Sequence, residues 1–229
     1  MGKNIKDYLN LSTESLNVKD IFVSPATFKN IFYSIKENER NSYIRHFIVN
    51  NLAYIFRETP LFFENLKEYI AQEMDVSTSE IIMIGSGKTG FSMSLEKYGK
   101  PFSEDSDLDL SIINENLFKN LSVDFEQWTN DYERGVVQPS NEIEKEYWED
   151  NKIKVRKNIE NFGFIDTYKV PSRLHYKTVQ NINNRLYIIG YQLEKRGILG
   201  SKKVSLRVYK DWNLFLRRVY LNTKHGLGL

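Results

Sequence analysis

The sequence predicts an α+β protein, in which a helical N-terminal region packs on a core where strands and helices mix. Two observations predict it. Apolar residues recur at helical spacing through the first 76 positions, and from residue 77 onward short continuous or alternating apolar runs alternate with further helical stretches.

Taken in order, Ser24 followed by Pro25 reads as an N-cap with proline at the first helical position, and Phe28, Ile31, Phe32 and Ile35 then fall on one face. A second stripe of Tyr43, Ile44, Phe47, Ile48, Leu52, Ile55 and Phe56 repeats the period. Thr59 and Pro60 restart it, with Phe62, Phe63, Leu66, Tyr69 and Ile70 on the buried side. After Ser77 and Ser79 the pattern changes: Ile81 to Ile84 form a buried strand that enters a turn at Gly85. A polar stretch with Gly99 and Pro101 precedes a second strand marked by Leu108, Leu110, Ile112 and Ile113.

Residues 124–134 and about 140–162 read as helices. The second begins with Glu142, Glu144 and Glu146 and ends with Lys152, Lys154, Arg156 and Lys157, a gradient that complements the helix dipole; Gly163 is its expected stop. Residues 174–196 form another helix, Val204, Leu206 and Val208 alternate as a strand, and a last helix runs from about Trp212 to Tyr220. Without repeats or Gly/Ser linkers, the expected division is a helical region over 1–76 and an α/β core with basic C-terminal helices over 77–229.

The 229 residues, 41% apolar and 27% charged, suffice for a sizeable core and lie far from the disordered regime. There is no cysteine, which excludes disulfides, thiol nucleophiles and Cys-built metal sites. The three histidines, His46, His175 and His225, lack neighbours at metal-ligand spacing. No apolar run approaches the roughly 20 residues needed to span a bilayer, and the N-terminal MGKNIKDYLN lacks a signal-peptide core, so the expectation is a cytoplasmic protein without a membrane partner.

The net charge of +2 hides a polarised distribution. Residues 151–229 hold seventeen Lys and Arg against four Asp and Glu, whereas residues 1–150 hold fifteen against twenty-six. The basic third suggests a surface for phosphates of a nucleotide or nucleic acid; the plainer alternative is mutual neutralisation across an interface.

The segment EIIMIGSGKTGFSMSLEKYGKPFSEDSDLDLSII, residues 80–113, carries the chemistry. Its GSGKT invites a phosphate-loop reading, but counting back from Gly87-Lys88-Thr89 puts Ile82 where the opening glycine is required. The whole segment reads better another way. Asp107 and Asp109, two apart at the second strand, point to one face while Leu108 points into the core. Two carboxylates on one face suit a hard cation such as Mg²⁺ or Mn²⁺, whose other ligands come from water and substrate phosphates. A Gly85-Ser86 turn at the end of the preceding strand can lend amides and a hydroxyl to the same phosphates. A lone D-x-D is otherwise a solvated strand end.

Gly85-Ser86 followed by Ser106-Asp107-Leu108-Asp109-Leu110 resembles the signature of the DNA polymerase β-like nucleotidyltransferase superfamily. The resemblance covers residues 80–113 well, 202–211 more loosely, and says little about 1–76. It implies a small mixed β-sheet flanked by helices, Gly85 and Ser86 at an incoming triphosphate, and Asp107 and Asp109 as catalytic magnesium ligands. The long span from Ser86 to Asp107 implies an inserted loop around Lys97 to Phe102. In the superfamily a third carboxylate sits on a later strand reading like Val-Asp-Leu-Arg-Val. This chain has Val204-Ser205-Leu206-Arg207-Val208, with Ser205 in the carboxylate's place.

Three explanations stay open: substitution by Asp166 or Asp211, a single cation with a base or acceptor supplied by a protein partner, or a pseudoenzyme that only binds. Lys88 in the turn and Arg207, on the face of Ser205, are the basic residues expected to reach the nucleotide. Arg173, His175, Lys177, Arg217 and Arg218 are weaker candidates for triphosphate or polynucleotide. The expected function is Mg²⁺-dependent transfer of a nucleoside monophosphate from a nucleoside triphosphate, NTP or dNTP, to a hydroxyl of a nucleic-acid or nucleotide acceptor. Small proteins with this motif resemble those of bacterial toxin–antitoxin or antiviral modules. The alternative is a catalytically impaired nucleotide- or nucleic-acid-binding regulatory subunit.

Overall fold

The computed structural model describes residues 4–198 and 203–229; residues 1–3 of the expected helical region and Lys202, where the looser stretch of resemblance begins, lie outside the described residues. Among the described residues four strands form one mixed sheet: β1 (Ile81–Ile84), β2 (Leu108–Ile113), β3 (Phe164–Asp166) and β4 (Val204–Tyr209), in the order β1-β2-β4-β3. β1 runs antiparallel to β2, β2 parallel to β4, and β3 antiparallel to β4. The ends of β1 and β3 and the starts of β2 and β4 therefore meet at one sheet edge.

Alternation divides the strands between two cores. Ile81, Met83, Leu108, Leu110, Ile112, Ile165, Val204, Leu206 and Val208 face one side. There they meet the apolar stripes of α5 (Pro60–Met74), α7 (Glu115–Glu133), α8 (Glu142–Phe162) and α9 (Lys177–Lys195). On the other side Ile113, Phe164 and Tyr209 join Phe28 and Phe32 of α3 (Pro25–Ser34), Tyr43 and Ile44 of α4 (Arg40–Ile44), and Phe215 and Val219 of α10 (Trp212–Gly226). Two short helices, α1 (Ile5–Leu9) and α2 (Thr13–Leu16), precede these, and a one-turn helix, α6 (Ser86–Thr89), follows β1. The helical first 76 residues thus supply walls to both cores: α3 and α4 on one face of the sheet, α5 on the other.

Local chemistry sets the boundaries. Ser24 accepts from Thr27 N at 3.1 Å with Pro25 at the first helical position, and Asn114, Asn141 and Asp211 cap α7, α8 and α10 in the same way. Each such cap contributes about 1 kcal/mol. Gly163 ends α8 at φ +60. Ser77 and Glu80 form a capping box ahead of β1, and Glu80 also accepts from Asn114 Nδ2 at 3.1 Å, tying the start of β1 to that of α7.

Several expectations are corrected. The stripe over 43–56 is not one helix: α4 passes into a π-helical turn over Arg45–Asn50 and then a 3₁₀ turn over Tyr54–Phe56. The buried set Tyr43, Ile44, Phe47, Ile48 and Phe56 survives this break, because both wide and tight turns keep those side chains inward. The helix expected from residue 124 begins at Glu115, after the Asn114 cap, and the last helix runs on to Gly226. β3 is an additional strand, three residues long.

α10 docks tightly at its end: a Cβ on Gly226 would lie 1.8 Å from Met93 O. Gly226→Ala must therefore displace backbone, and we expect a loss of up to about 3 kcal/mol, seen as a Tm lower by about 6–12 °C in thermal melts.

Candidate functional site

The shared sheet edge brings together Gly85, Asp109 and Ser205, with Asp107 just ahead of β2. β1 ends at Gly85, whose φ of +72 and missing side chain permit a sharp turn into α6. The register pairs Ile84 with Asp109, so the turn lies against that carboxylate; a Cβ at Gly85 would stand 2.7 Å from Asp109 Oδ2. Asp109 in turn pairs with Ser205 across the parallel β2–β4 ladder, and the Ser205 hydroxyl donates to Asp109 Oδ1 at 2.6 Å. Leu108 is fully buried in the opposite core, while Asp107 lies exposed just ahead of β2. Its charge reaches Asp109.

Gly85, Ser86 and Asp109 open into a cavity of about 560 Å³, closed by Thr89, the 92–96 segment, Tyr209 and the end of α10. The long connection from Ser86 to Asp107 folds back on itself through the Phe91–Pro101 bridge, with Gly99 N donating to Ser92 O at 2.9 Å, and supplies one wall. α10 brings Asn222, Thr223 and His225 to the other wall. Sequence reasoning missed Asn222 and His225, because the expected helix stopped at Tyr220 and nothing local links them to residues 85–109.

Burial raises the pKa of Asp109; the Ser205 hydrogen bond works against that, and the charge of Asp107 adds to it. A buried carboxylate beside a second one is stabilised by a cation. Asp109, with the Ser205 hydroxyl on its Oδ1 and the charge of Asp107 acting on it, offers the kind of oxygen that a hard divalent ion takes together with phosphate and water; Asp107 itself is not among the residues lining the cavity. Among the described residues there is no group of three or more His, Cys, Asp or Glu arranged to hold a metal ion. The residues present thus fit one cation shared with a substrate better than a site built wholly from protein.

The other expected residues are not all brought to this cavity. Lys88 turns away: it is 4% exposed, and its ammonium donates to Val49 O at 3.1 Å and to Asn51 O, satisfying carbonyls at the end of the π-helical turn. Its expected role at the nucleotide is corrected to one of tying α6 to the helical region. Arg207 does share the face of Ser205, but its Nε donates to Asp166 Oδ1 at 2.6 Å and its guanidinium lies 4.1 Å from the Phe164 ring centroid. Burial is the largest single influence and opposes its charge, yet the charge and hydrogen bonds of Asp166 and Tyr209 together outweigh it and raise its pKa.

Asp166 also meets Lys169 at 3.3 Å, so as a substitute third carboxylate it is already neutralised by two cations. Asp211 caps α10 beyond the far end of β4, away from Ser205. Arg173 pairs with Glu144 at 3.2 Å, and Arg218 lies over the Phe162 ring at 4.8 Å; His175, Lys177 and Arg217 are exposed.

Burial lowers the pKa of Lys88 to about 8 from its ordinary 10.5, with repulsion from Lys67 adding to the effect. Between those values the unfolded chain binds more protons than the folded one, so Lys88 makes stability rise with pH from about 8 to 10.5. Urea unfolding across pH 7–10.5 should show this slope in the wild type and a shallower one in Lys88→Met.

No helix among the described residues is long and apolar enough to cross a membrane. No protein-family model matches the chain, and no curated protein or solved structure compared with it gives a significant match.

Proposed function

We propose that the chain is a divalent-cation-dependent nucleotidyltransferase of the DNA polymerase β-like kind, moving a nucleoside monophosphate from a nucleoside triphosphate to the hydroxyl of a nucleic-acid or nucleotide acceptor. One observation carries the reading: the side-chain-free turn at Gly85 abuts Asp109, so a phosphate-facing bend and a cation-binding carboxylate share one cavity. Asp107 and Asp109 would hold Mg²⁺ or Mn²⁺, which when bound supplies charge neutralisation of the triphosphate.

The chain's own groups do the rest. Ser86 lines the cavity with a hydroxyl that can donate to a phosphate oxygen, and the rigid turn fixes where that oxygen sits. Ser205 orients Asp109 through its 2.6 Å hydrogen bond. Asn222 and His225 add polar groups at the opposite wall. In the reaction the acceptor hydroxyl oxygen bonds to the α-phosphorus as the α–β anhydride bond breaks, the hydroxyl proton passing to water and pyrophosphate leaving.

The test incubates purified protein with each labelled NTP and dNTP, Mg²⁺ or Mn²⁺, and mixed cellular nucleic acid, and resolves products by size. Pyrophosphate release with a labelled product is the expected result; no product with any donor, and no nucleotide-induced thermal shift, overturns it.

Ser205 favours a second reading, a nucleotide-binding regulatory subunit with impaired turnover, because it stands beside Asp109 where the resemblance expects a third carboxylate. Under that reading Ser205→Asp should raise pyrophosphate release at least tenfold from a near-background rate; under the first it should alter an already substantial rate.

A further inference from the structure

A second cleft, of about 450 Å³, opens on the other side of the Asp109–Ser205 pair. Ser205 lines it, together with the turn after β3 and one stripe of α9. We infer that this cleft receives the 3′-terminal nucleotide of a single-stranded nucleic acid, the acceptor for the transfer proposed above, on which this inference rests.

Three tyrosines at the cleft are left unusually open. Tyr187 is 76% exposed, Tyr168 50% and Tyr191 46%. Isolated exposed aromatics need no explanation, but three converging on one concave site mark a binding surface. Tyrosine faces stack on nucleobases irrespective of sequence. Asn183 and Glu194 extend the same stripe of α9 at helical spacing and offer hydrogen-bond donors and acceptors to a base edge.

Gly190 stands inside this stripe, between Tyr187 and Tyr191. A mid-helix glycine is unfavourable relative to alanine, and here it has a negative φ, so no turn requires it. A Cβ would only touch Val204 Cγ2 at 3.5 Å, which the fold would accept. What the glycine leaves is a cleft floor without a side chain on the stripe that carries Tyr187 and Tyr191.

Charge points the same way. The ammonium of Lys203 lies over the Tyr168 ring, 4.1 Å from its centroid, and that of Lys195 over the Tyr191 ring at 4.5 Å, so each of these rings carries a cation over one face, beside which the phosphates of a strand are attracted. Every residue lining the cleft comes from the strongly basic segment 151–229. A cationic acceptor is disfavoured by that field. Ser205 lines this cleft and its hydroxyl donates to Asp109, which lines the first cavity, so a terminal nucleotide seated among the tyrosines would have only that hydrogen-bonded pair between it and the triphosphate side.

The test measures anisotropy of a fluorescent single-stranded oligonucleotide, with a duplex and a free mononucleotide as competitors, on the wild type and on Tyr187→Ala/Tyr191→Ala, Tyr187→Phe/Tyr191→Phe and Gly190→Leu. Triphosphate binding with Mg²⁺ is measured separately on each. The alanine pair and Gly190→Leu should weaken single-strand binding at least tenfold, the phenylalanine pair should retain it, and all should bind triphosphate as the wild type does. Unchanged single-strand affinity in the alanine pair, or duplex or mononucleotide binding as tight as the strand, overturns the inference. A wild type that binds triphosphate but no single strand overturns it alone, whereas one that binds no triphosphate overturns the transferase reading beneath it.

Discussion

Asp107→Ala combined with Asp109→Ala should reduce nucleotide transfer by on the order of 10³-fold or more while leaving the protein folded. The two carboxylates are the candidate cation ligands, and neither Arg207 nor Lys88 is free to take over charge neutralisation, since both are engaged by other protein groups. Stability should change little. Asp107 is exposed, and Asp109 is a carboxylate whose ionisation burial opposes, so removing it relieves a desolvation cost while the Ser205 hydroxyl loses one acceptor. Pyrophosphate release and thermal melts on the same preparation check both halves. Full activity in the folded double variant would remove this edge from the chemistry.

Gly85→Ala is the second large effect. The new methyl would sit 2.7 Å from Asp109 Oδ2, and the residue would have to hold a φ of +72 with a ψ of −162, a conformation essentially reserved for glycine. Either the turn or the carboxylate moves. We expect a loss of about 1–3 kcal/mol in stability from the backbone conformation, and a fall on the order of 10²-fold in turnover from a displacement approaching 1 Å. The split is diagnostic: because Lys88 and the helical wall behind α6 are untouched, chemical denaturation should remain a single transition while kcat falls much further than stability alone explains.

Much of this arrangement is legible in the sequence for identifiable reasons. β1 and β2 are written as apolar runs bounded by Ser, Gly and Asp, and α3 and α8 carry their caps in Ser24-Pro25 and Gly163. Strand alternation places Asp107 and Asp109 off the core once Leu108 is assigned to it. What could not be read has three separate causes, the first of them a missed element. β3 has only three residues, too few for any period, and it brings Asp166 against Arg207. Without it Arg207 looks free to reach a nucleotide. Lys88 illustrates a different gap: its neighbours in sequence describe a phosphate-facing turn, but its partners are carbonyls 37 and 39 positions earlier, exposed by a π-helical turn that no simple periodicity announces. Asn222 and His225 line the cavity through the packing of α10, which comes close to Met93 at Gly226.

That last contact makes assembly of the pocket depend on α10. Its walls come from segments near positions 48, 85, 93, 109, 209 and 225, so no fragment ending before α10 can enclose it. Closing separations of this length costs loop entropy that is recovered only when the contacts across the pocket form. A polypeptide still emerging from the ribosome would carry the aspartates and the glycine bend without a competent enclosure around them.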